Sequence, residues 1–173
     1  MLKDKKILLG VTGGIASYKS PGICSLLRKM GAEVKVVMTK NATEFVTPLT
    51  FQTMSNNTVH CEMFNQLQNM DVEHISLAKW ADIIVIAPAT ANLMGKFANG
   101  IADDMLTTVL MASRSKVILA PGMNTVMLNS DANQKNMGTL RKRGVIILDT
   151  KKDFLACNDY GSGKMLEPSE IVD

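Results

Sequence analysis

Five short apolar runs, spaced widely enough for helices to join them, constrain this chain more than any other feature. They are Lys6–Val11, Glu33–Met38, Asp82–Ala87, Lys116–Ala120 and Val145–Leu148. Helical segments fall between them. One runs from the Gly13-Gly14 turn to about Met30, where Gly31 serves as C-cap. Another starts near Thr47-Pro48, since proline is favoured at a first helical position. Two more span Met105–Ser113 and roughly Ala132–Arg143, while Thr58–Phe64 is either a short strand or irregular. Apolar strands alternating with helices require a parallel sheet covered on both faces. The expected fold class is therefore α/β: a doubly wound, Rossmann-like parallel sheet in a flavodoxin-like three-layer sandwich. No repeat, linker or low-complexity tract divides residues 1–173, so one domain is expected.

Composition excludes several classes. The chain has 173 residues, is 46% hydrophobic and 20% charged, and carries a formal net charge of +3, which is ordinary for a globular protein. Its longest basic block, Arg141-Lys142-Arg143, falls at a helix end, where cations complement the dipole, so no nucleic-acid surface is expected. Three widely spaced cysteines (Cys24, Cys61 and Cys157) form no CxxC pair; they fit a reducing compartment and argue against a structural metal site. No apolar run approaches a membrane span, and Lys5-Lys6 leads straight into a strand without an export signal, so a cytoplasmic location is expected.

The chemistry concentrates at strand carboxyl ends, where open α/β sheets bind ligands. Gly13-Gly14, entering a helix, lets backbone N–H groups approach an anion, but the stretch lacks both the G-x-G-x-x-G spacing and the Gly-Lys-Ser/Thr of a Walker loop. The second strand ends at Thr39, where a dinucleotide site would carry an acid for the ribose diol. A threonine hydroxyl suits a phosphate, so a mononucleotide such as FMN fits better. Pro88-Ala89-Thr90-Ala91-Asn92-Leu93 offers small polar groups that can approach a planar ring, although Asn92 also suits a helix cap. Gly100-Ile101-Ala102-Asp103-Asp104 opens a helix, and its acids suit plain dipole caps equally well. After the fourth run, the Pro121-Gly122 turn leaves Met123, Asn124 and Met127 in a loop: either a ligand site or a turn with two core methionines.

Two further residues carry chemical potential. His74 lies at helical spacing with Leu77, Ala78 and Ala81, as a packed core histidine or as a proton carrier. The glycine-rich stretch Phe154–Met165 forms a mobile loop or hairpin, and its Cys157 is either incidental or a thiol that donates a proton.

Together these motifs resemble, over nearly the whole chain, the homo-oligomeric flavin-containing cysteine decarboxylases. That family's PxMNxxMW motif matches Pro121–Leu128 with Leu128 in place of Trp, and its PASANT-type motif matches Pro88–Leu93 with Thr90 and Leu93 departing. Its active-site histidine matches His74. Its substrate clamp, placed at about residues 153–166, matches Ala156-Cys157-Asn158-Asp159 and Gly161–Met165, with Lys164 where Arg is common. The resemblance implies FMN as cofactor, held by Gly13, Gly14, Ile15, Thr39, Phe51, Thr90, Ala91, Asn92, Ala102 and Asp103. It implies His74 and Cys157 as catalytic residues, and Met123, Asn124, Ala156, Lys164 and Met165 as substrate-binding ones. No metal is implied.

The implied reaction is a carboxy-lyase step of coenzyme A biosynthesis: 4′-phosphopantothenoylcysteine to 4′-phosphopantetheine, by way of a thioaldehyde and an enethiolate. Homotrimers, or dodecamers built from trimers, are implied too, as is fusion or coupling to the synthetase that makes the substrate. Three relatives with the same fold compete with this reading: peptidyl-cysteine decarboxylases of antimicrobial-peptide maturation, flavin prenyltransferases, and non-catalytic regulators of a protein phosphatase. Cys157 in its clamp argues against the first, Met123-Asn124 with that clamp against the second, and His74, Asn124 and Cys157 together against the third.

Overall fold

The computed structural model describes residues 2–64 and 72–173. Along the chain run β1 (Lys6–Val11), a 3-10 helix (Ile15–Lys19), α1 (Ser20–Lys29), β2 (Glu33–Met38), a second 3-10 helix (Lys40–Glu44), α2 (Pro48–Ser55) and β3 (Val59–His60). Then come α3 (Glu73–Trp80), β4 (Ile83–Ala89), α4 (Ala91–Ala98), α5 (Met105–Ala112), β5 (Lys116–Pro121), α6 (Thr125–Asn129) and α7 (Asp131–Lys142). β6 (Ile146–Ile147), β7 (Lys151–Phe154), β8 (Tyr160–Lys164) and α8 (Pro168–Val172) follow.

β1 to β6 form one sheet in the order β3-β2-β1-β4-β5-β6, with every neighbouring pair parallel. Along β1 the side chains divide the core: Leu8 joins a cluster with residues of α3, α4, α5 and α7, whereas Ile7, Leu9 and Val11 join one with residues of α1 and α2. The sheet is thus covered on both faces, the expected three-layer arrangement. The strand order reverses between β1 and β4, which places a crevice at their carboxyl ends.

Boundaries moved where local chemistry intervenes. The helix expected after Gly14 is a 3-10 turn followed by α1, with Pro21 in the first turn of α1. Proline has no N–H to continue an upstream helix, so the α-helix restarts there. Gly31 takes the left-handed conformation (φ +93°) just past the α1 C-cap, and Thr47-Pro48 opens α2 as expected. The loop expected over Met123–Met127 instead begins a short helix, α6. Phe154–Met165 resolves into the antiparallel β7–β8 hairpin. Among the described residues, no helix is long and apolar enough to cross a membrane.

Candidate active site

Buried hydroxyls stitch the crevice together. Thr12 Oγ1 donates to the Pro88 carbonyl (2.7 Å) and accepts from the Thr90 N–H (3.2 Å), tying the end of β1 to that of β4. Ser20 Oγ donates to the Ala87 carbonyl at 2.6 Å. Gly13 is required by the neighbouring turn, because a Cβ there would strike Asn41, two residues beyond Thr39. A Cβ on Gly14 would make only ordinary van der Waals contacts, the nearest being Thr90 Cγ2 at 3.5 Å. Two buried hydroxyls at this edge, Ser17 Oγ and Thr39 Oγ1, have no hydrogen-bond partner among the described residues. Buried polar groups are normally paired, so these two are suited to a ligand rich in acceptor oxygens.

A cavity of about 550 Å³ opens beside this turn. Among the residues expected at the site, it is lined by Gly13, Gly14, Ile15, Thr90, Ala91, Met123, Asn124, Ala156, Cys157, Lys164 and Met165. Asn124 caps α6: its Oδ1 accepts from the Val126 N–H (2.8 Å) and the Met127 N–H (3.4 Å). The cap fixes the orientation of the amide, so only the NH₂ can face the cavity, where it donates to Cys157 Sγ at 3.5 Å. Cys157 in turn donates to Asp159 Oδ2 at 3.3 Å. Cys157 is also the exposed cysteine. Burial pushes the Cys24 thiol up to about 11, and burial followed by the nearby Glu62 raises that of Cys61.

The hairpin carrying Cys157 is docked by backbone and hydroxyl contacts. Met123 N–H donates to the Gly163 carbonyl (3.0 Å), and Thr125 Oγ1 to the Ser162 carbonyl (2.6 Å). Gly163 sits at φ +123°, and a Cβ there would run into the Met123 carbonyl oxygen. Across the hairpin, Lys164 Nζ donates to Asp153 Oδ2 at 2.6 Å. That bond holds the Asp153 carboxyl below its ordinary range and raises Lys164.

Six expected residues stand off the cavity wall. Phe51 is fully buried in the core, and Thr39 keeps its unpartnered hydroxyl at the adjacent β2 end. Thr90, rather than Asn92, caps α4, with Oγ1 accepting from the Leu93 N–H at 3.3 Å; Asn92 is exposed in the first turn. Ala102 is exposed, and Asp103 pairs with Lys96 (2.8 Å), whose hydrogen bond lowers the carboxyl. Asp104 alone caps α5, in a capping box with Thr107. His74 lies half-buried in the first turn of α3, apart from Cys157 and Asn124.

Sequence reasoning missed Ser17 and Lys19. Lys19 is nearly buried in the cavity wall, its Nζ donating to the Met165 carbonyl (3.2 Å) and to Glu167 Oε1 (2.6 Å). The available signal was a lysine one helical turn past the glycines, in an otherwise small and apolar stretch. Among the described residues, no three His, Cys, Asp or Glu side chains converge as a metal site would need.

A family model described as Flavoprotein matches residues 1–173. The coenzyme A biosynthesis bifunctional protein CoaBC of Bacillus subtilis is 45% identical over 172 residues, which is 99% of this chain and 42% of that protein. The chain thus spans about two fifths of the curated relatives it matches. Among solved structures, a PPC decarboxylase mutant complexed with pantothenoylaminoethenethiol is 32% identical, with a TM-score of 0.86 and coverage of 98% of this chain and 94% of that one. The FMN-dependent cysteine decarboxylase SpaF is 30% identical, with a TM-score of 0.84 and coverage of 95% and 92%.

Proposed function

The chain belongs to the flavoprotein family, and from that premise we propose that it is an FMN-dependent carboxy-lyase converting 4′-phosphopantothenoylcysteine to 4′-phosphopantetheine in coenzyme A biosynthesis. The observation that carries this reading is the Asn124 amide held against Cys157 inside the cavity beside the glycine turn. The PPC decarboxylase and FMN-dependent cysteine decarboxylase neighbours, together with the CoaBC relatives, support it.

The residues present fit FMN. Gly14 in the cavity wall and the hydroxyls of Ser17 and Thr39, unpartnered among the described residues, suit its phosphate, and Thr90 and Ala91 offer small side chains to its ring. Bound there, FMN supplies reversible two-electron oxidation of the cysteinyl side chain, the electron sink that loss of CO₂ from an unactivated carbon requires. The protein's part is to orient and to move one proton. Asn124, its oxygen committed to the α6 cap, offers the substrate only a donor and so favours a thiolate or carboxylate group. Cys157 holds on Sγ the proton that the enethiolate needs after CO₂ has left. Phe154 and Leu155, from the hairpin, add apolar surface to the same cavity. Lys164 and Lys19 line the same cavity as cations facing a phosphorylated substrate.

His74 completes the site from a second copy in a homotrimer or a dodecamer of trimers. Two observations support this: His74 lies off its own chain's cavity, and Ile15, Tyr18, Met127 and Phe154 are large apolar side chains left exposed around the mouth. A cytoplasmic setting and coupling to phosphopantothenoylcysteine synthetase belong to this proposal; the bifunctional coenzyme A biosynthesis relatives are consistent with a coupled second activity. Mass spectrometry of 4′-phosphopantothenoylcysteine incubated with FMN-loaded protein tests the reading. Loss of CO₂ to give 4′-phosphopantetheine is expected, and no turnover by yellow, flavin-loaded protein overturns it.

A further inference from the structure

Asn133 is an anomaly in the wall behind the site. It is 4% exposed, lies in the first turn of α7, and leaves its Oδ1 buried without a partner among the described residues. It is not the cap of that helix, because Ser130 Oγ already accepts from the Asn133 N–H at 3.3 Å. Its NH₂ donates to the Leu128 carbonyl (3.1 Å), to Met123 Sδ (3.5 Å) and to Met137 Sδ (3.6 Å). The Leu128 carbonyl does not depend on it, since Gln134 Nε2 reaches the same oxygen at 2.7 Å. An apolar side chain of equal size would fill this space without burying an unpaired oxygen. Gln134 Nε2 also reaches Met137 Sδ at 3.9 Å, so what Asn133 alone supplies is a polar donor to the thioether of Met123, a cavity residue.

We propose that Asn133 is a positioning residue whose carboxamide fixes the Met123 thioether against the cavity floor and thereby sets substrate affinity. Met123 is unbranched and adaptable, so its side chain needs an external restraint to present one shape. Its backbone is already held by the Gly163 carbonyl. Asn133 supplies the matching restraint on the side chain, so the floor is clamped from the hairpin on one side and from α7 on the other. The kinetic part of the inference rests on the proposed decarboxylation, whereas the restraint itself does not.

Two measurements on the FMN-loaded protein separate these. In methionine methyl-¹³C NMR, with the Met123 signal assigned by Met123→Leu, the wild type should show one conformer-specific shift. In Asn133→Leu the signal should move toward the rotamer-averaged position, with the melting temperature equal to or above that of the wild type. Asn133→Ala, which leaves space rather than filling it, should do the same if the leucine is not accommodated. An unchanged Met123 signal in both variants overturns the proposal. In the decarboxylation assay Asn133→Leu should raise KM about three- to tenfold with kcat nearly constant, the pattern of lost uniform binding. That rise should vanish in a Met123→Leu background. An unchanged KM, or effects that simply add, overturns the proposal as well. If the wild type fails to turn over this substrate, the proposed function falls, and the methyl signal still decides the role of Asn133.

Discussion

The glycine turn after β1 and the β7–β8 hairpin face each other across one cavity and are built in opposite ways. The turn grows out of the core: Leu9, Val11, Ser17 and Ser20 are fully buried, and Thr12 and Ser20 tie it to β4. The hairpin has two short strands, with Phe154 and Tyr160 exposed as an edge-on pair at 5.3 Å and Asn158 left-handed at the tip. It hangs from Met123, from Thr125 and from the Lys151–Glu170 pair at 2.6 Å. Under the proposed function, the surface that would hold the cofactor is the one tied into the core. The surface that would admit a substrate and then cover it is held by few bonds, the usual mark of a segment that opens locally.

The largest expected effect isolates chemistry on the hairpin. Cys157→Ser should lower product formation by about 100-fold or more, as loss of a proton donor does. Mass spectrometry should find an oxidised, decarboxylated product accumulating, with flavin content and melting temperature as in the wild type. Full activity would remove the catalytic role from the hairpin.

Next comes Gly163→Ala. At φ +123° against the Met123 carbonyl, the added methyl should undock the hairpin at about 1–3 kcal/mol, raising KM roughly tenfold or more. Flavin retention should not change; a variant that also sheds FMN would show that the two halves are not independent. On the other half, Ser17→Ala and Thr39→Val should each weaken FMN binding by about tenfold, the worth of one hydrogen bond to a charged group. Calorimetric titration of the apoprotein reads the affinity, while hydrogen exchange in the hairpin should stay as it was.

The smallest effect concerns pH. Lys164 depresses Asp153 below its ordinary 3.8, so that contribution is complete above pH 3.8 and fades as pH falls through the lower folded value. Lys164 is raised above 10.5, so its contribution is complete below that pH and fades only as pH rises through the folded value. Both groups face solvent, where such pairs contribute little. Hairpin exchange protection, corrected for intrinsic rate, should therefore be flat across neutral pH and decline slightly in strong acid. A step near neutral pH would assign the hairpin a different latch.

The contrast also explains what could be foreseen. The strands were legible because burial on both faces leaves an apolar signature, and Gly13, Gly31 and Thr47-Pro48 mark turns and caps whose chemistry is local. The hairpin was only half legible, since its glycines serve Met123 and Thr125, about forty residues upstream, and short-range pattern carries no such information. α6 was missed because its cap, Asn124, looks like a ligand-binding residue; it is also the side chain that meets Cys157. Lys19 was passed over because its partners lie at the far end of the chain.

That last separation gives the site a sense of time. Lys19 is made well before the groups that accept its hydrogen bonds, for Met165 and Glu167 lie 146 and 148 residues later. A lysine ammonium in a nearly closed wall is costly until it is paired. As the chain emerges in order, the sheet and the glycine turn can form long before that debt is settled. The cavity therefore becomes sound only when the segment beyond the hairpin packs back against α1, so a part made well over a hundred residues later completes a wall begun with that helix.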